Sequence, residues 1–321
     1  MEDIFEDIER GLLSEVNGEF DFDVILPQTR GITKPAKNVS AKVLNYLGTV
    51  KVTTSFKTRN PKAWLLQSLL NELGYPLNPD GFFGQLTEDQ VKKYQAANGL
   101  VDDGIVGRAT WTELIYQGRN RISNSKISDQ DFVKAANELG VEVAVVRAIT
   151  DVESSGSGYV FSNHPTILFE SHIFWKELEK RNVKPTKYKD SDILNQTWKE
   201  GKAYYVGGVA EHARLQKARL INCDAANASA SWGLFQIMGN NYKTCKCGSV
   251  SEFVERMCKS ESEQLMLFVA FIKSNNLHQY LQPGKIQWAS FARRYNGAGY
   301  QTNQYDTKLQ KAYEKYKKLG Y

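Results

Sequence analysis

The chain has little of what marks a membrane protein or a protein exported through a leader sequence. Its 321 residues include no run of 18 or more apolar residues, which is about the length needed to cross a bilayer. The N-terminal residues Met1–Asp7 are acidic, whereas a secretory signal begins with basic residues and continues with apolar ones. We therefore predict no stable membrane insertion and no signal peptide, and we expect synthesis in the cytoplasm.

Cysteine and histidine are also scarce, with four of each in the chain. Free thiols are expected, because proteins made in the cytoplasm seldom keep disulfides. Zinc held by the thiolates of Cys223, Cys245, Cys247 and Cys258 remains an alternative, although Cys245 and Cys247 are too close in sequence for a common zinc knuckle. The sequence contains no His-Glu-x-x-His pattern of a zinc peptidase or amidase. A zinc amidase or peptidase is therefore not predicted, and we expect neither a metal nor an organic cofactor.

Charge is distributed unevenly along the chain. Residues 1–24 contain nine acidic residues and one arginine, a net charge of −8, so the remainder carries +13 of the total of +5. A basic body attracts anionic polymers such as a bacterial wall, a nucleic acid or an acidic membrane surface. No nucleic-acid motif is present, so nucleic acid is not a predicted partner. The basic stretch 308–318 is interpreted either as a wall- or lipid-binding helix or as a terminal helix whose cations complement its dipole.

The first half contains a short internal repeat. Asp80–Thr87 (DGFFGQLT) recurs 23 residues later as Asp103–Thr110 (DGIVGRAT). In each copy the glycines predict a tight turn, and the threonine predicts a helix N-cap whose capping box is completed by Gln90 or Glu113. The predicted helices lie at about 62–74, 87–98 and 110–116. Apolar residues at helical spacing predict one small core, formed by Leu65, Leu66, Leu69, Leu70, Val91, Tyr94, Trp111 and Leu114.

This repeat resembles the three-helix type of peptidoglycan-binding domain. The resemblance covers about residues 59–116 and includes Gln67, Gly74, Gly84, Thr87, Gln95, Gly99, Gly107 and Thr110. It implies bacterial peptidoglycan as a partner, with candidate wall contacts at Asp80, Phe82, Tyr94 and Asp103. Because most matched positions are turn and core residues, a helical adaptor without a ligand is the alternative.

The domain boundaries follow from these motifs. Residues 1–58 remain unassigned, although residues 4–12 have the spacing of an amphipathic helix and residues 50–54 predict a short strand. A polar linker is predicted at 117–127, and a new helix start at Ser128 opens the second domain, residues 128–321.

In this second domain, one carboxylate stands where an apolar segment meets a loop rich in serine and glycine. Apolar residues between Val141 and Val152 recur at helical spacing and predict the buried face of one helix. Glu153 is then expected at the C-terminal edge of that helix, where burial would raise its carboxyl pKa as a general acid requires. A glutamate that caps the helix or forms a salt bridge is the alternative.

Two later segments favour a sugar as the substrate. Ser231–Gly239 (SWGLFQIMG) places the amide of Gln236 among large apolar side chains, and a buried amide must find hydrogen-bond partners. Tyr295–Tyr300 (YNGAGY) combines aromatic rings with an amide on a backbone that contains two glycines. Rings and amides suit a sugar that carries an N-acetyl group.

Glu153–Ser155, Gly233–Met238 and Tyr295–Gly297, in this order, resemble the signature segments of the lysozyme-like superfamily of goose-type lysozymes and lytic transglycosylases. Pro165–His172 and Ala230–Gly233 extend the likeness to the N-acetylmuramidases of modular phage endolysins, over about residues 128–315. The resemblance implies a mainly α (α+β) fold with a small β lobe. It also implies a monomeric glycosidase that waits in the host cytoplasm for a holin. The implied site has Glu153 as the general acid and, as substrate-binding residues, Ser154, Trp232, Gln236, Tyr295 and Asn296.

Cleavage of the β-1,4 bond between N-acetylmuramic acid and N-acetylglucosamine needs a second group to stabilise the oxocarbenium-like centre. Glu170, after a predicted strand at 165–169, is the candidate, with Glu211 and Asp224 as further possibilities. A hydrogen-bonded strut within the β lobe is the other interpretation of Glu170. If the substrate's own 6-hydroxyl acts instead, the enzyme is a lytic transglycosylase. A catalytically silent wall-binding or virion protein and an injected antibacterial effector remain alternatives.

Overall fold

The fold is mostly helical. The computed structural model describes residues 37–52, 59–121, 126–153, 157–197, 205–301 and 304–321. Within these ranges the chain forms thirteen α-helices and five short β-strands, which confirms the predicted mainly α class with a small β lobe. The proposed N-terminal helix at 4–12 lies outside the described residues.

The peptidoglycan-binding-like unit contains four helices: α1 (Ala41–Leu47), α2 (Pro61–Glu72), α3 (Gln85–Ala97) and α4 (Arg108–Asn120). Helix α2 begins at a proline whose preceding residue, Asn60, accepts a hydrogen bond from the backbone N–H of Lys62, as a helix start favours. All eight predicted core residues are buried. The apolar periodicity therefore predicted this core correctly.

The predicted capping boxes are wrong. Helices α3 and α4 start two residues before Thr87 and Thr110, with Gly84 and Gly107 at the N-cap position and no side-chain cap. The threonines lie inside the helices because their hydroxyls accept hydrogen bonds from Gln67 and Gln95. Helix α4 also continues to Asn120, so the predicted linker at 117–127 begins within a helix.

A buried glutamine organises each copy of the repeat. The Gln67 amide donates to Asp80 Oδ1, the Phe82 carbonyl and Thr87 Oγ1, while its Oε1 accepts from the N–H of Gly81. Gln95 makes the four equivalent bonds in the second copy, to Asp103, Gly104, Ile105 and Thr110. The repeated sequence therefore encodes a turn folded around one amide, which satisfies polar groups that the small core buries.

Part of the segment left unassigned belongs to this unit. Val43, Leu44 and Leu47 of α1 are buried in its core. Trp111 Nε1 donates to the Gly48 carbonyl at 3.0 Å, and Val50 forms an isolated antiparallel bridge with Val106. The domain therefore begins before residue 59, and the predicted strand at 50–54 is one bridge within the described residues.

The second unit contains the remaining helices and all the strands. Its helices are α5 (Asp129–Leu139), α6 (Val143–Glu153), α7 (Ser171–Lys180), α8 (Ala210–Arg219), α9 (Cys223–Ala228), α10 (Val250–Lys259), α11 (Glu261–Ser274), α12 (Trp288–Tyr295) and α13 (Tyr305–Lys318). The predicted helix start at Ser128 is confirmed, and Ser128 forms a capping box with Asp131.

The strands form two small antiparallel sheets: β1 (Tyr159–Phe161) pairs with β2 (His164–Pro165), and β4 (Ala230–Trp232) lies between β3 (Ile167–Phe169) and β5 (Ile237–Met238). In the second sheet, Phe169 is opposite Ala230 and Trp232 is opposite Ile237. This pairing brings the predicted strand before Glu170 beside the Ser231–Gly239 segment.

The two units share a hydrophobic core. Phe161 on β1 and Ala210 and Ala213 on α8 are buried in the same cluster as the leucines of α2. The Trp64 ring of α2 meets the edge of the His164 ring at 5.9 Å, and Tyr46 donates to Asp192 at 2.8 Å. The peptidoglycan-binding-like unit is thus packed directly onto the β lobe.

Helix α13, which contains the whole basic stretch, packs along α6. Leu309 and Ala312 are buried in the hydrophobic core of the second unit, and Lys315 forms a salt bridge with Asp151. Lysines also occupy its last turn, where their positive charges interact favourably with the negative end of the helix dipole.

The cysteines form no disulfide or metal site within the described residues. All four cysteines are free thiols, with Cys245 and Cys247 buried and Cys223 exposed. Among the residues that the structure describes, no group of three or more His, Cys, Asp or Glu side chains could hold a metal ion. In the same part of the chain, no helix combines the length and the apolar character that crossing a membrane requires.

Candidate active site

The C-terminus of α6 places Glu153. Val145, Ala148 and Ile149 are fully buried on one face of this helix, as the spacing predicted, and Glu153 is the last helical residue. The following residues 154–156, which include the predicted substrate contact Ser154, lie outside the described residues. The catalytic candidate is therefore held at the end of a packed helix.

The surroundings of Glu153 favour a protonated carboxyl at neutral pH. Although part of the side chain is accessible, desolvation is the largest effect and raises the pKa of Glu153 to about 7. Asn296 donates from Nδ2 to both carboxylate oxygens at 3.2 and 3.3 Å. This bond and the charge of Lys308 oppose the shift. A carboxyl balanced in this way can hold a proton near pH 7 and release it.

The Tyr295-Asn296 segment contributes an amide to the site and a ring to the core. Asn296 is buried at the end of α12 and faces Glu153. Tyr295 stacks on Phe291 with centroids 5.6 Å apart, and its hydroxyl donates to the Phe235 carbonyl at 3.3 Å. The ring is therefore a packing element of the core, and the substrate-binding role of Tyr295 stays a prediction.

Trp232 and Gln236 have structural partners. Trp232 is buried, and its Nε1 donates to the Asn227 carbonyl at 3.0 Å, so it offers no surface to a sugar in this structure. Gln236 is partly exposed and lies in the turn between β4 and β5. Its Nε2 donates to the carbonyls of Gly233 and Thr166, and its Oε1 accepts from Ser231. Both N–H groups of the amide are thus used, whereas Oε1 can accept one further hydrogen bond.

Gln264 on α11 was missed by the sequence reasoning. This side chain is fully buried, accepts from the Leu234 N–H at 2.8 Å, and donates to the carbonyls of Met257 and Gly158. A Cβ at Gly158 would lie 2.4 Å from Gln264 Oε1, and one at Gly233 would lie 2.7 Å from its Cδ. Gln264 therefore ties the chain after Glu153 to the β4–β5 turn.

Two titratable neighbours of Glu153, Tyr305 and Lys308, were also missed as site residues. Burial, followed by the charge of Glu153, raises the pKa of Tyr305 to about 12. Lys308 lies one turn further along α13, and its charge acts on Glu153. Sequence reasoning had only a basic stretch to work from, because nothing local shows that this stretch returns to α6.

Glu170 occupies a buried position directly after β3. Tyr205 donates a hydrogen bond to its Oε1, and His172 Nδ1 lies 3.5 Å from its Oε2. Its backbone N–H donates to the Ser229 carbonyl at 2.9 Å. These contacts are those of a strut in the β lobe, as the other interpretation of Glu170 anticipated, and the second catalytic role of Glu170 stays a prediction.

The two further carboxylate candidates differ in exposure. Glu211 is fully buried, pairs with Arg214, and accepts from the backbone N–H groups of Phe169, Val206 and Gly207. All its described contacts support the β lobe. Asp224 is exposed in the first turn of α9.

The candidate wall contacts fall into two groups. Asp80 and Asp103 each accept hydrogen bonds from a turn N–H and from the glutamine at the centre of the repeat. Tyr94 is fully buried against Tyr75 and cannot present its ring to a ligand in this structure. Phe82 is partly exposed, with the Arg59 guanidinium 5.9 Å from its ring centroid. Phe82 is therefore the ring of this set that a ligand can reach.

Comparison with known families agrees with this arrangement. The N-acetylmuramidase family model matches residues 142–317, which is more than half of the chain. A putative peptidoglycan-binding domain matches residues 60–114. The chain therefore belongs to the N-acetylmuramidase family and carries an N-terminal domain of the peptidoglycan-binding type.

Individual relatives are also similar. The crystal structure of a Burkholderia AP3 phage endolysin is 36% identical, covers 84% of this chain and 99% of that chain, and has a TM-score of 0.56. An uncharacterized protein from Kitasatospora aureofaciens is 49% identical over 51 residues, which is 15% of this chain. The chain matches 42% of the length of that curated relative.

Proposed function

We propose that the protein is a peptidoglycan hydrolase of the endolysin type, which cleaves the β-1,4 bond between N-acetylmuramic acid and N-acetylglucosamine. The observation that carries this proposal is Glu153, a carboxyl with a pKa of about 7 held at the end of a packed helix in a muramidase domain. The adjoining peptidoglycan-binding-type domain would hold the enzyme on its polymeric substrate. We expect it to act as a monomer, as the endolysin resemblance implies.

In this mechanism Glu153 donates its proton to the departing glycosidic oxygen. Asn296 stabilises the carboxylate that remains, because its two-pronged contact favours the ionised form. We keep Glu170 as the candidate that stabilises the oxocarbenium-like centre or activates water. The buried hydrogen bond with Tyr205 and the nearby His172 would fix its orientation.

Replacing Asn296 with alanine is expected to move the alkaline limit of activity to higher pH. Loss of the Asn296 donors removes an interaction that lowers the pKa of Glu153, so the acid would keep its proton above pH 7. The alkaline limb of kcat/KM, measured on purified peptidoglycan, reports this pKa in the free enzyme. Asn296→Asp should move the limb in the same direction, since a second negative charge disfavours ionisation. A limb that stays in place or moves to lower pH would contradict this role.

The released products test the reaction class. Mass spectrometry of soluble fragments, before and after borohydride reduction, is expected to show reducible N-acetylmuramic acid ends. Anhydro ends, one water lighter and resistant to reduction, would instead define a lytic transglycosylase, with Glu153 acting as both acid and base. No release of fragments by a folded protein that still adsorbs to walls would support the catalytically silent wall-binding alternative.

The place of action follows from the same proposal. The endolysin similarity favours action on the bacterial wall, and a holin would be the expected route to it. A holin gene beside the coding sequence would support this route, whereas an adjacent immunity gene would favour an injected effector.

A further inference from the structure

Helix α13 carries four lysines along one side. Lys308, Lys311, Lys315 and Lys318 are all exposed, and their spacing places them within an arc of about 80° at 3.6 residues per turn. We call these four residues the lysine stripe. At a rise of 1.5 Å per residue, the stripe is about 15 Å long. The residues that bury α13, Leu309 and Ala312, lie on a different side.

Two lysines of the stripe, Lys308 and Lys315, have a partner in the fold, and the Lys308 ammonium lies 5.6 Å from the centroid of the Tyr305 ring. Lys315 pairs with Asp151 at 2.9 Å. Lys308, Lys311 and Lys318 form no salt bridge with any residue that the structure describes. Stabilisation of the helix C-terminus by cations explains Lys318 but not Lys308 or Lys311, since the dipole acts only in the last turn. Glu314 lies on the same surface as Lys311, Lys315 and Lys318, where its carboxylate accepts a hydrogen bond from Gln310. Four lysines against Asp151 and Glu314 leave this surface with a net positive charge.

One end of the lysine stripe lies on the same side of the molecule as the C-terminal end of α6, which carries Glu153. Lys308 is near enough to Glu153 to act on it electrostatically, and Lys315 lies against Asp151, two residues before Glu153. From there the stripe extends along α13 beside α6. A polymer bound across Glu153 would therefore have the start of this cationic surface next to its cleaved bond.

We propose that the lysine stripe is a second substrate-binding surface that holds the stem-peptide carboxylates of the peptidoglycan strand being cut. This inference rests on the proposed wall-degrading function. Stem peptides branch from N-acetylmuramic acid, the sugar whose bond is broken, so their carboxylates accompany every cleavage site. Exposed ammonium groups on flexible stems suit such mobile anions, because they attract charge without demanding one geometry.

The test compares two substrates: purified peptidoglycan, and the same glycan from which an amidase has removed the stem peptides. The variant K311Q/K318Q removes two unpaired charges and leaves Lys308, next to Glu153, in place. On intact peptidoglycan its KM is expected to rise about fivefold with kcat unchanged, in line with the loss of two exposed ion pairs. The salt dependence of its KM should also be shallower than that of the wild type. On the stripped glycan the two enzymes should be equal.

The matched control is K184Q/K187Q, which removes two exposed lysines from another part of the same domain and should leave KM unchanged on both substrates. An unchanged KM for K311Q/K318Q on intact peptidoglycan would overturn the inference. An equal rise in KM on the stripped glycan, or an equal rise in KM for the control variant, would also overturn it. Binding to anionic phospholipid vesicles is measured in parallel, and a loss of vesicle binding with an unchanged KM would assign the stripe to lipid. If the wild type cleaves neither substrate, the proposed function itself fails.

Discussion

Glu153→Gln is expected to abolish wall lysis while leaving the fold intact. Glutamine has nearly the shape of glutamate but cannot donate the proton that the leaving oxygen needs. General acid catalysis contributes about 10²- to 10⁴-fold, so turbidity loss of a purified wall suspension should fall by at least about 100-fold. Adsorption to walls, measured by cosedimentation, should match the wild type because the binding unit is unchanged.

The same substitution is expected to stabilise the protein at alkaline pH. The folded-state pKa of Glu153 is about 7, raised from its ordinary value of 4.5, so the native state binds this proton more tightly than the unfolded state. This contribution is complete below about pH 4.5 and is lost as the pH rises through about 7. Glutamine does not titrate, so the melting temperature of Glu153→Gln should exceed that of the wild type by more at pH 8 than at pH 5.

Glu255→Gln is the matched control, since Glu255 is exposed on α10 and lies outside the proposed mechanism. It should change neither lysis nor the pH dependence of the melting temperature. Full lysis by Glu153→Gln would reject the acid assignment. A loss of lysis without the pH-dependent gain in stability would instead show that Glu153 is not desolvated in the folded protein.

Short-range patterns predicted the parts of the fold that depend on one helix. The helical spacing before Glu153 placed it correctly at a helix end, because a buried face must recur every three to four residues. The core of the binding unit was predicted for the same reason. The predicted N-cap at Thr87 was wrong because the Thr87 hydroxyl accepts a hydrogen bond from Gln67, twenty residues earlier. Local propensity carries no information about such a distant partner.

The candidate site shows the same limit. Trp232 and Tyr295 were predicted as sugar contacts, but a motif does not reveal which face of a ring is covered, and both side chains are buried. Gln264 lies within an apolar helix, where a polar residue signals a buried hydrogen-bonding role without naming its partners. Phe161 joins the core of the other unit, a contact made by distant segments that periodicity cannot predict.

Gly239→Ala is expected to cause the largest loss of stability among simple substitutions near the site. A Cβ at Gly239 would lie 2.0 Å from the Asn227 carbonyl oxygen, 2.9 Å from its carbonyl carbon and 3.1 Å from Ala228 Cα. All three contacts are backbone, so no side-chain rotation can relieve the clash. The end of α9 and the 3-10 turn Gly239–Asn241 would have to separate.

That separation would break more than one contact. The Asn227 carbonyl also accepts the hydrogen bond of the buried Trp232 indole, and the Asn227 side chain accepts from Arg219 Nε at 2.8 Å. Overpacking of a dense core costs about 1–3 kcal/mol and sometimes more, and a backbone clash belongs at the upper end of this range. We expect the melting temperature to fall by about 10 °C, given about 2–4 °C per kcal/mol for domains of this size.

Gly248→Ala provides the control, because a Cβ there would meet only the flexible Glu252 carboxylate at 3.4 Å. Its melting temperature should remain within about 2 °C of the wild type, as surface substitutions usually change stability by less than about 0.5 kcal/mol. Differential scanning calorimetry of both variants decides the matter. If Gly239→Ala has the same melting temperature as Gly248→Ala, α9 and the segment that follows the β4–β5 hairpin do not approach as closely in solution as they do in the structure. The close packing that covers Trp232 would then be looser in solution than in the structure.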